Sequence, residues 1–364
     1  MMKAAVSYEF GKPLVIEEVT LDPVGENEVK IRMAATAICH SDIHSLNGEH
    51  GKIPLPAVPG HEAAGYVEEV GENVTYVKPG DLVVASIIPE GCGDCYYCRI
   101  GVPSLCRTNR LHLYGKGKYT GMSGQRIGQY AGDVAGFTEY AVIPVPNLVK
   151  IPNDLPVDRA CLLACGVISG YGAVIYRAKV TANSSVAVIG CGGVGLNAIQ
   201  GAAYSGAYPI IGIDVRDSKL ERARVFGATH VVNVSEESDP VEAVREITYG
   251  RGADSVIVAV AGIDILRQGF LMSAMDGTTV VIGHGHGEQL SAFTPTDFMQ
   301  GRKLTGSAMG AVRLRMDISR LIELYNAGKI KLDELISGHY SFDRINEALE
   351  SSAQGEVIRN IIMF

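Results

Sequence analysis

Four cysteines in one 15-residue stretch constrain the fold of this chain more than any other feature. Cys92, Cys95, Cys98 and Cys106 are separated by two, two and seven residues. Four thiolates at such spacings can close a tetrahedral site, and zinc takes four sulfur ligands where its role is purely structural. Glycines and a proline within the stretch supply the turns that let the sulfurs converge. The stretch therefore predicts a structural zinc lobe.

Two other interpretations of the four cysteines stay open. A disulfide cluster would require an oxidising compartment. An iron–sulfur cluster uses similar spacings, but its usual run ends with a gap of about three residues and a following proline. Here the last gap is seven residues and no proline follows Cys106. Zinc is therefore the favoured metal for the lobe, which comprises about residues 91–107.

Composition limits the kind of protein this is. The length of 364 residues suggests about two domains, and 47% of the residues are hydrophobic, enough for a sizeable core. The net charge of −8 argues against nucleic-acid binding. The first residues contain no apolar signal region, and no apolar run is long enough to cross a membrane. We expect a cytoplasmic protein without a membrane partner, whose eight cysteines are thiols or metal ligands.

The patterning of the chain divides it into two halves. Residues up to about 155 alternate short strand-like runs with turn residues, which predicts a small distorted β-barrel. From about Ser184, continuous apolar runs alternate with helical stretches, which predicts a parallel sheet with crossover helices. The predicted fold class is therefore α/β. The last of these apolar runs extends to His284, and helices are predicted at 217–226, 240–248, 317–327 and 343–353.

A glycine turn between a predicted strand and a predicted helix indicates a dinucleotide site. Small residues there let the backbone approach a pyrophosphate at a helix N-terminus. The next predicted strand ends at Asp214, whose carboxylate would accept from ribose hydroxyls and repel a 2′-phosphate, which favours NAD over NADP. Lys219 could also reach the ribose, whereas Arg216 could tolerate a phosphate. The residues of the turn are Gly190, Gly192, Gly193, Val194 and Gly195.

Three further segments carry a family resemblance. They are Cys39-His40-Ser41-Asp42-Ile43-His44, Pro59-Gly60-His61-Glu62 and Ala164-Cys165-Gly166. With these segments, the four-cysteine stretch and the glycine turn, the whole chain resembles the zinc-dependent medium-chain alcohol dehydrogenases. The resemblance implies a GroES-like β-barrel catalytic domain over 1–167, a doubly wound Rossmann domain over 168–308, and a segment over 309–364 that returns to the catalytic domain.

The resemblance also implies a second zinc ion, which would be catalytic. Its ligands would be Cys39, His61 and Cys165, with a fourth position open to water or substrate. Glu62 would lie just behind the metal, and Asp42 would accept from the second nitrogen of His61 and fix its tautomer.

The remaining roles come from the same resemblance. The alcohol proton would leave through the Ser41 hydroxyl, the cofactor ribose and His44, since histidine titrates near neutral pH. His40 and Arg359 would approach the cofactor pyrophosphate, and Ser169 would line the nicotinamide. The protein would then be a zinc-dependent oxidoreductase that transfers a hydride between a primary or secondary alcohol and NAD.

Several alternatives stay open at this point. The substrate could instead be a polyol, a hydroxy-acid derivative or a formaldehyde adduct, or the chain could be a non-catalytic zinc-stabilised binding protein. Residues 107–130 are expected to form a long irregular loop beside the substrate or at a subunit contact. The resemblance further implies a homodimer or homotetramer, with a contact near residues 303–308.

Overall fold

The computed structural model describes residues 1–49, 54–109, 114–130, 133–283 and 291–364. The strands in these ranges are β1 (Met2–Val6), β2 (Val15–Leu21), β3 (Glu28–Ala37), β4 (Ala57–Val58), β5 (Glu62–Val70), β6 (Leu82–Ser86), β7 (Tyr114–Gly121), β8 (Arg126–Tyr130), β9 (Tyr140–Pro144), β10 (Leu148–Lys150), β11 (Val186–Ile189), β12 (Ile210–Asp214), β13 (His230–Asn233), β14 (Ala253–Val258), β15 (Ser273–Val281), β16 (Lys303–Gly306), β17 (Ile336–Ser341) and β18 (Arg359–Met363). The α-helices are α1 (His40–Leu46), α2 (Tyr96–Arg99), α3 (Val157–Ala160), α4 (Gly166–Gly172), α5 (Gly193–Tyr204), α6 (Asp217–Val225), α7 (Pro240–Ile247), α8 (Ile263–Met272), α9 (Pro295–Phe298), α10 (Leu314–Asn326) and α11 (Ile345–Ala353).

The chain divides into two compact units. Unit 1 comprises residues 1–165, 313–323 and 332–364, and unit 2 comprises residues 166–312 and 324–331. This division differs from the predicted boundaries mainly because 324–331 group with unit 2. Within unit 2, the side-chain amide of Gln200 on α5 accepts from the backbone N–H of Lys331 (2.8 Å) and donates to its carbonyl (3.3 Å).

Unit 1 contains two sheets built largely from antiparallel pairs. One has the strand order β1-β2-β7-β8-β4, and the other has the order β10-β6-β5-β3-β18-β17 with β9 also paired to β3. Apolar side chains from both sheets form the cores of the unit, including Ile31 and Met33 of β3. Strand β18 pairs with β3 in antiparallel register, Ile361 opposite Ala37, so the C-terminus completes this unit.

Unit 2 contains a parallel sheet of order β13-β12-β11-β14-β15-β16. Its central strands are buried on both faces, and for this reason β11 is the unbroken apolar run Val-Ala-Val-Ile. All carboxyl ends of such strands lie at one edge of the sheet, where doubly wound folds bind ligands.

The predicted helices within 217–226 and 240–248 are confirmed as α6 and α7, and those within 317–327 and 343–353 as α10 and α11. The predicted extension of the last apolar run to His284 lies outside the described residues.

The prediction of an irregular loop over 107–130 is wrong for its second half. Strands β7 and β8 form a hairpin, in which Tyr119 pairs with Ile127 and both side chains are fully buried. Glycines and charged residues between the buried positions obscure the alternation of a strand in this sequence. Residues 110–113 of the segment lie outside the described residues.

One further prediction concerns membranes. Among the described residues no single helix is long and apolar enough to cross a bilayer. Two consecutive helical stretches, 157–164 and 166–178, are long and apolar enough for a membrane span only when they are taken together, and there is a bend between them.

Candidate metal centres and cofactor site

The four cysteines of the lobe converge around one point. Cys95 precedes α2, and a 3-10 turn over Pro103–Leu105 leads into Cys106. The Sγ–Sγ distances are 3.6 Å between Cys95 and Cys98, 3.8 Å between Cys95 and Cys106, and 4.0 Å between Cys92 and Cys98. Zn–S bonds of about 2.3 Å in a tetrahedron place sulfurs about 3.8 Å apart, so the four thiols fit a zinc ion.

Backbone amides around the lobe favour thiolates. The N–H of Cys95 donates to Sγ of Cys92 (3.3 Å), and the N–H of Asn109 donates to Sγ of Cys106 (3.2 Å). The Thr108 hydroxyl and nearby amides lower the pKa of Cys92 to about 6. Desolvation raises the pKa of Cys98 to about 12, so this thiol would lose its proton only to a metal ion. The eight cysteines are all free thiols in the structure, so the disulfide alternative is wrong.

A second cluster is buried within unit 1. Cys39 caps the start of α1, His61 directly precedes β5, and Cys165 follows a 3-10 turn over Cys161–Ala164. Their ligand atoms and a Glu62 carboxylate oxygen all lie within 4.8 Å of one another. None of the four residues is more than 7% exposed. The structure thus brings together the three metal ligands and the acid that the resemblance implied.

Asp42 holds two of these ligands in place. Its Oδ1 lies 2.7 Å from Nδ1 of His61, and its Oδ2 accepts from the N–H of Cys39 (3.1 Å). A carboxylate only accepts, so the contact keeps the His61 proton on Nδ1 and turns Nε2 toward the cluster. Burial lowers the pKa of His61, but the charge and hydrogen bond of Asp42, together with Cys39, outweigh it and raise that pKa well above its ordinary value.

The two thiols of the buried cluster differ in acidity. The thiol of Cys165 and the ring of His61 hold the pKa of Cys39 well below its ordinary value. The same contact with Cys39, and burial, raise the pKa of Cys165. The thiol of Cys39 is therefore the more acidic of the two, and zinc binding would require both sulfurs as thiolates. Two sulfurs and one imidazole nitrogen form a donor set that zinc accepts.

Glu62 has a partner that the sequence did not indicate. The guanidinium of Arg359, at the start of β18, lies 3.3 Å and 3.4 Å from its two carboxylate oxygens. Arg359 is 5% exposed, and its third bond goes to the carbonyl of Ile358. Burial raises the pKa of Glu62 to about 7, although the charge of Arg359 opposes the shift. The predicted contact of Arg359 with a pyrophosphate stays a prediction.

The residues of the predicted proton path lie on α1. The Ser41 hydroxyl is 3.1 Å from Sγ of Cys39 and 3.1 Å from Nε2 of His61, so it lies at the edge of the buried cluster. His44, one turn further on, contacts the carboxylate of Glu49. His40 is exposed, with its ring centroid 6.3 Å from that of His44. Glu49 was not among the predicted residues.

The glycine turn of unit 2 joins β11 to α5. The helix begins at Gly193, directly after Gly192 as its cap. A Cβ atom on Gly195 would lie 1.7 Å from the carbonyl oxygen of Gly190, so only glycine fits at this position. Burial raises the pKa of Cys191, inside the turn, to about 12, which makes it an inert thiol.

Asp214, at the end of β12, is bonded to the glycine turn. Its Oδ2 accepts from the N–H of Cys191 (2.8 Å), and its Oδ1 accepts from the N–H groups of Val215 (2.8 Å) and Arg216 (3.2 Å). The side chain thus bonds the backbone of the turn at the carboxyl edge of the sheet. Lys219 follows on α6, and Ser169 on α4 is 3% exposed with its hydroxyl 3.5 Å from Sδ of Met309.

Comparison with known proteins agrees with both halves of the chain. Residues 25–153 match the family of the alcohol dehydrogenase GroES-like domain, and residues 193–327 match the zinc-binding dehydrogenase family. Alcohol dehydrogenase class-3 of Myxine glutinosa is 39% identical over 99% of this chain and 97% of its own length.

Two solved structures share the fold over the whole chain. An alcohol dehydrogenase zinc-binding domain protein from Burkholderia ambifaria is 32% identical, with a TM-score of 0.93 over 100% of this chain and 98% of the other. Benzyl alcohol dehydrogenase from Acinetobacter calcoaceticus is also 32% identical, with a TM-score of 0.91 over 100% and 99%. The chain therefore belongs to the zinc-dependent alcohol dehydrogenases of the medium-chain dehydrogenase/reductase superfamily and is a zinc-dependent alcohol oxidoreductase.

Proposed function

We propose that the protein is an NAD-dependent dehydrogenase that interconverts a primary or secondary alcohol and its aldehyde or ketone, with two zinc ions per chain. The observation that carries the proposal is the buried cluster of Cys39, His61 and Cys165, whose imidazole is held by Asp42. The lobe supports the second zinc ion, because its four sulfurs already have tetrahedral spacing.

A zinc ion held by these three residues would act as a Lewis acid on the substrate oxygen and lower its pKa. Ser41, next to the ligand atoms, would accept the alcohol proton and pass it toward His44. Asp42 would keep Nε2 of His61 directed at the metal. The Glu62–Arg359 pair would place a neutralised carboxylate behind the ligands.

Unit 2 supports NAD as the hydride acceptor. The glycine turn offers backbone N–H groups at the N-terminus of α5 to a pyrophosphate. The Asp214 carboxylate, at the end of the neighbouring strand, would bind ribose hydroxyls and repel a 2′-phosphate. Replacing Asp214 with alanine, and Arg216 with alanine separately, should change the ratio of kcat/KM for NAD and NADP. Unchanged NAD preference in the Asp214→Ala variant would contradict this assignment.

Metal analysis and a substrate panel test the whole proposal. We expect about two zinc ions per chain, as in enzymes that hold a structural and a catalytic zinc. One zinc ion per chain and no turnover would instead favour a non-catalytic binding protein. The panel, followed through the absorbance of reduced nicotinamide, should include aliphatic and aromatic primary alcohols, since one relative is a benzyl alcohol dehydrogenase. Polyols, hydroxy-acid derivatives and formaldehyde adducts should be included as the alternative substrates.

We further propose a cytoplasmic homo-oligomer, a dimer or a tetramer. Strand β16 supports this because it is an edge strand of the sheet in unit 2, and an edge offers unpaired backbone groups to another copy. The cytoplasmic location is supported by eight cysteines that are thiols or metal ligands. Light scattering coupled to gel filtration measures the assembly, and a monomer at micromolar concentration would contradict the oligomer.

A further inference from the structure

The C-terminal end of α1 has a built geometry that the proposed function does not use. The helix is capped by Asn47, and Gly48 follows in the left-handed region with φ of +76°. The N–H of Gly48 donates to the carbonyl of Ser45 (3.0 Å), and the N–H of Glu49 donates to the carbonyl of His44 (2.8 Å). These two bonds define a Schellman motif, which glycine permits at low cost.

The motif brings two particular side chains together. A Schellman motif sets the residue after the glycine against the residue three positions before the cap, and an apolar contact is usual there. In this chain the two residues are Glu49 and His44, and Oε2 of the glutamate lies 2.5 Å from Nδ1 of the imidazole. The other oxygen, Oε1, accepts from the side-chain amide of Asn47 (3.2 Å). Both oxygens of the carboxylate are therefore held in place.

The contact decides which nitrogen of His44 carries a proton. An ionised carboxylate has no proton to donate, so the neutral imidazole that faces it carries its proton on Nδ1. Nε2 is then the acceptor. The Asp42–His61 pair has the same arrangement at 2.7 Å, but there the second nitrogen faces metal ligands. The other ring near His44 is that of His40.

We propose that Glu49 is a positioning residue of the proton path: it fixes the tautomer and orientation of His44 so that Nε2 receives the proton that leaves the alcohol. The inference rests on the proposed role of His44. The proton adds at Nε2 to give an imidazolium that the Glu49 carboxylate faces, and Nε2 then releases that proton to water. No other group is consumed, and the ring returns to its starting tautomer.

A spectroscopic test reads the tautomer directly. The zinc-loaded protein is labelled with ¹⁵N-histidine, and the His44 signals are assigned by their loss in His44→Gln. The wild-type protein should show a protonated Nδ1 and an unprotonated Nε2 at alkaline pH. Glu49→Leu removes the acceptor and restores the apolar contact that is usual in the motif, so folding is kept while the tautomer population shifts toward Nε2–H. An unchanged His44 tautomer in Glu49→Leu would overturn the proposal.

A kinetic test separates positioning from a structural role. Glu49→Leu should lower kcat about tenfold, within the range of a general acid–base contribution, with KM for alcohol and NAD changed less than about twofold. The loss should be largest at low pH and be relieved by added buffer base. Glu49→Gln keeps an acceptor oxygen and should recover part of kcat. Glu68→Leu is the control, because Glu68 of β5 is an exposed partner of Arg32.

The outcomes distinguish this inference from the proposed function. If kcat of His44→Gln is low and kcat of Glu49→Leu equals that of the wild type, the inference is wrong and the proton path through His44 stands. If His44→Gln is also as fast as the wild type, both the path and the inference are wrong.

Discussion

The two candidate metal centres of this protein lie in the same unit but are built in opposite ways. The four sulfurs of the lobe come from one short stretch, which holds them by turns and by its own backbone amides. The buried cluster takes its ligands from the end of β3, the start of β5 and the segment before α4, and each ligand is fully or nearly buried. The lobe is therefore held by local turns and backbone amides, whereas the buried ligands are held by the packing of three separate segments of unit 1.

The largest expected effect separates the two centres by activity. Cys39→Ala should reduce kcat on the order of a thousandfold or more, because the buried metal loses a ligand while the fold that surrounds it remains. Zinc should fall from about two ions per chain to one. Cys161→Ala is the control, since that thiol is buried, bonds the carbonyl of Asp158 and lies outside the metal-ligand cluster of the described residues. Substantial turnover in Cys39→Ala with zinc still bound would show that the ligand assignment is wrong.

The next effect concerns folding. Cys95→Ala should lower the Tm, because the lobe has little buried apolar surface to hold it without its metal. The remaining folded protein should keep its kcat within about twofold, since all four lobe positions are filled by protein sulfur and none is open to substrate. Ser104→Ala, within the lobe, is the control. A variant that folds and assembles normally but loses catalysis would mean that the two roles are reversed.

A third prediction tests the charge balance of the buried centre. Arg359→Met should cost about 3–5 kcal/mol of the free energy of unfolding in urea, because the buried Glu62 carboxylate loses the guanidinium charge that faces it. Arg344→Met removes a solvent-exposed pair with Glu347 and should change the free energy of unfolding far less.

The cost of Arg359→Met should depend on pH. Burial raises the pKa of Glu62 from its ordinary value of 4.5 to about 7 in the folded protein. Between these values the folded chain binds more protons than the unfolded chain, so the contribution of this group to stability falls as pH rises. Without the charge of Arg359, the pKa of Glu62 in the folded protein should rise further. The pH range over which stability falls then extends to higher pH, so the variant should be least stable at alkaline pH. Equal destabilisation at acidic and alkaline pH would contradict this account.

The smallest effect concerns metal affinity. Asp42→Asn should weaken zinc binding at the buried centre about 10–100-fold, the usual cost of losing a partner that orients a histidine ligand. The lobe has no buried carboxylate in such a role, so its affinity should not change. Competition with a graded series of chelators resolves the two zinc ions. Equal weakening at both centres would show that Asp42 acts through general stability and not through His61.

The two centres also differ in how far the sequence predicts them. The lobe is predictable because its ligands, spacings and turns are all local. Cys39, His61 and Cys165 were identified only through a family resemblance, since nothing near Cys165 indicates which distant residues it meets. The Glu62–Arg359 pair joins residues 297 positions apart. The pairing of β18 with β3 brings these two residues together, and no local pattern encodes that pairing.

Two smaller differences between the predictions and the structure have local causes. The hairpin of β7 and β8 was missed because glycines interrupt its alternation. Glu49 could have been found, because a glycine that ends a helix predicts a contact between its neighbour and the last turn. The parallel strands of unit 2 were predictable because burial on both faces leaves unbroken apolar runs.

The pairing of β18 with β3 also sets the order in which the molecule can be completed during synthesis. The N–H of Ile38, one residue before Cys39, donates to the carbonyl of Asn360 (2.9 Å). The ribosome makes Asn360 only after the lobe and nearly all of unit 2 have emerged, and segments of a chain generally fold as they appear. The lobe can therefore take up its metal on the nascent chain. The strand that leads into the buried cluster gains β18 as a neighbour only after residues 359–363 have been made, so the buried cluster is completed later in synthesis than the lobe.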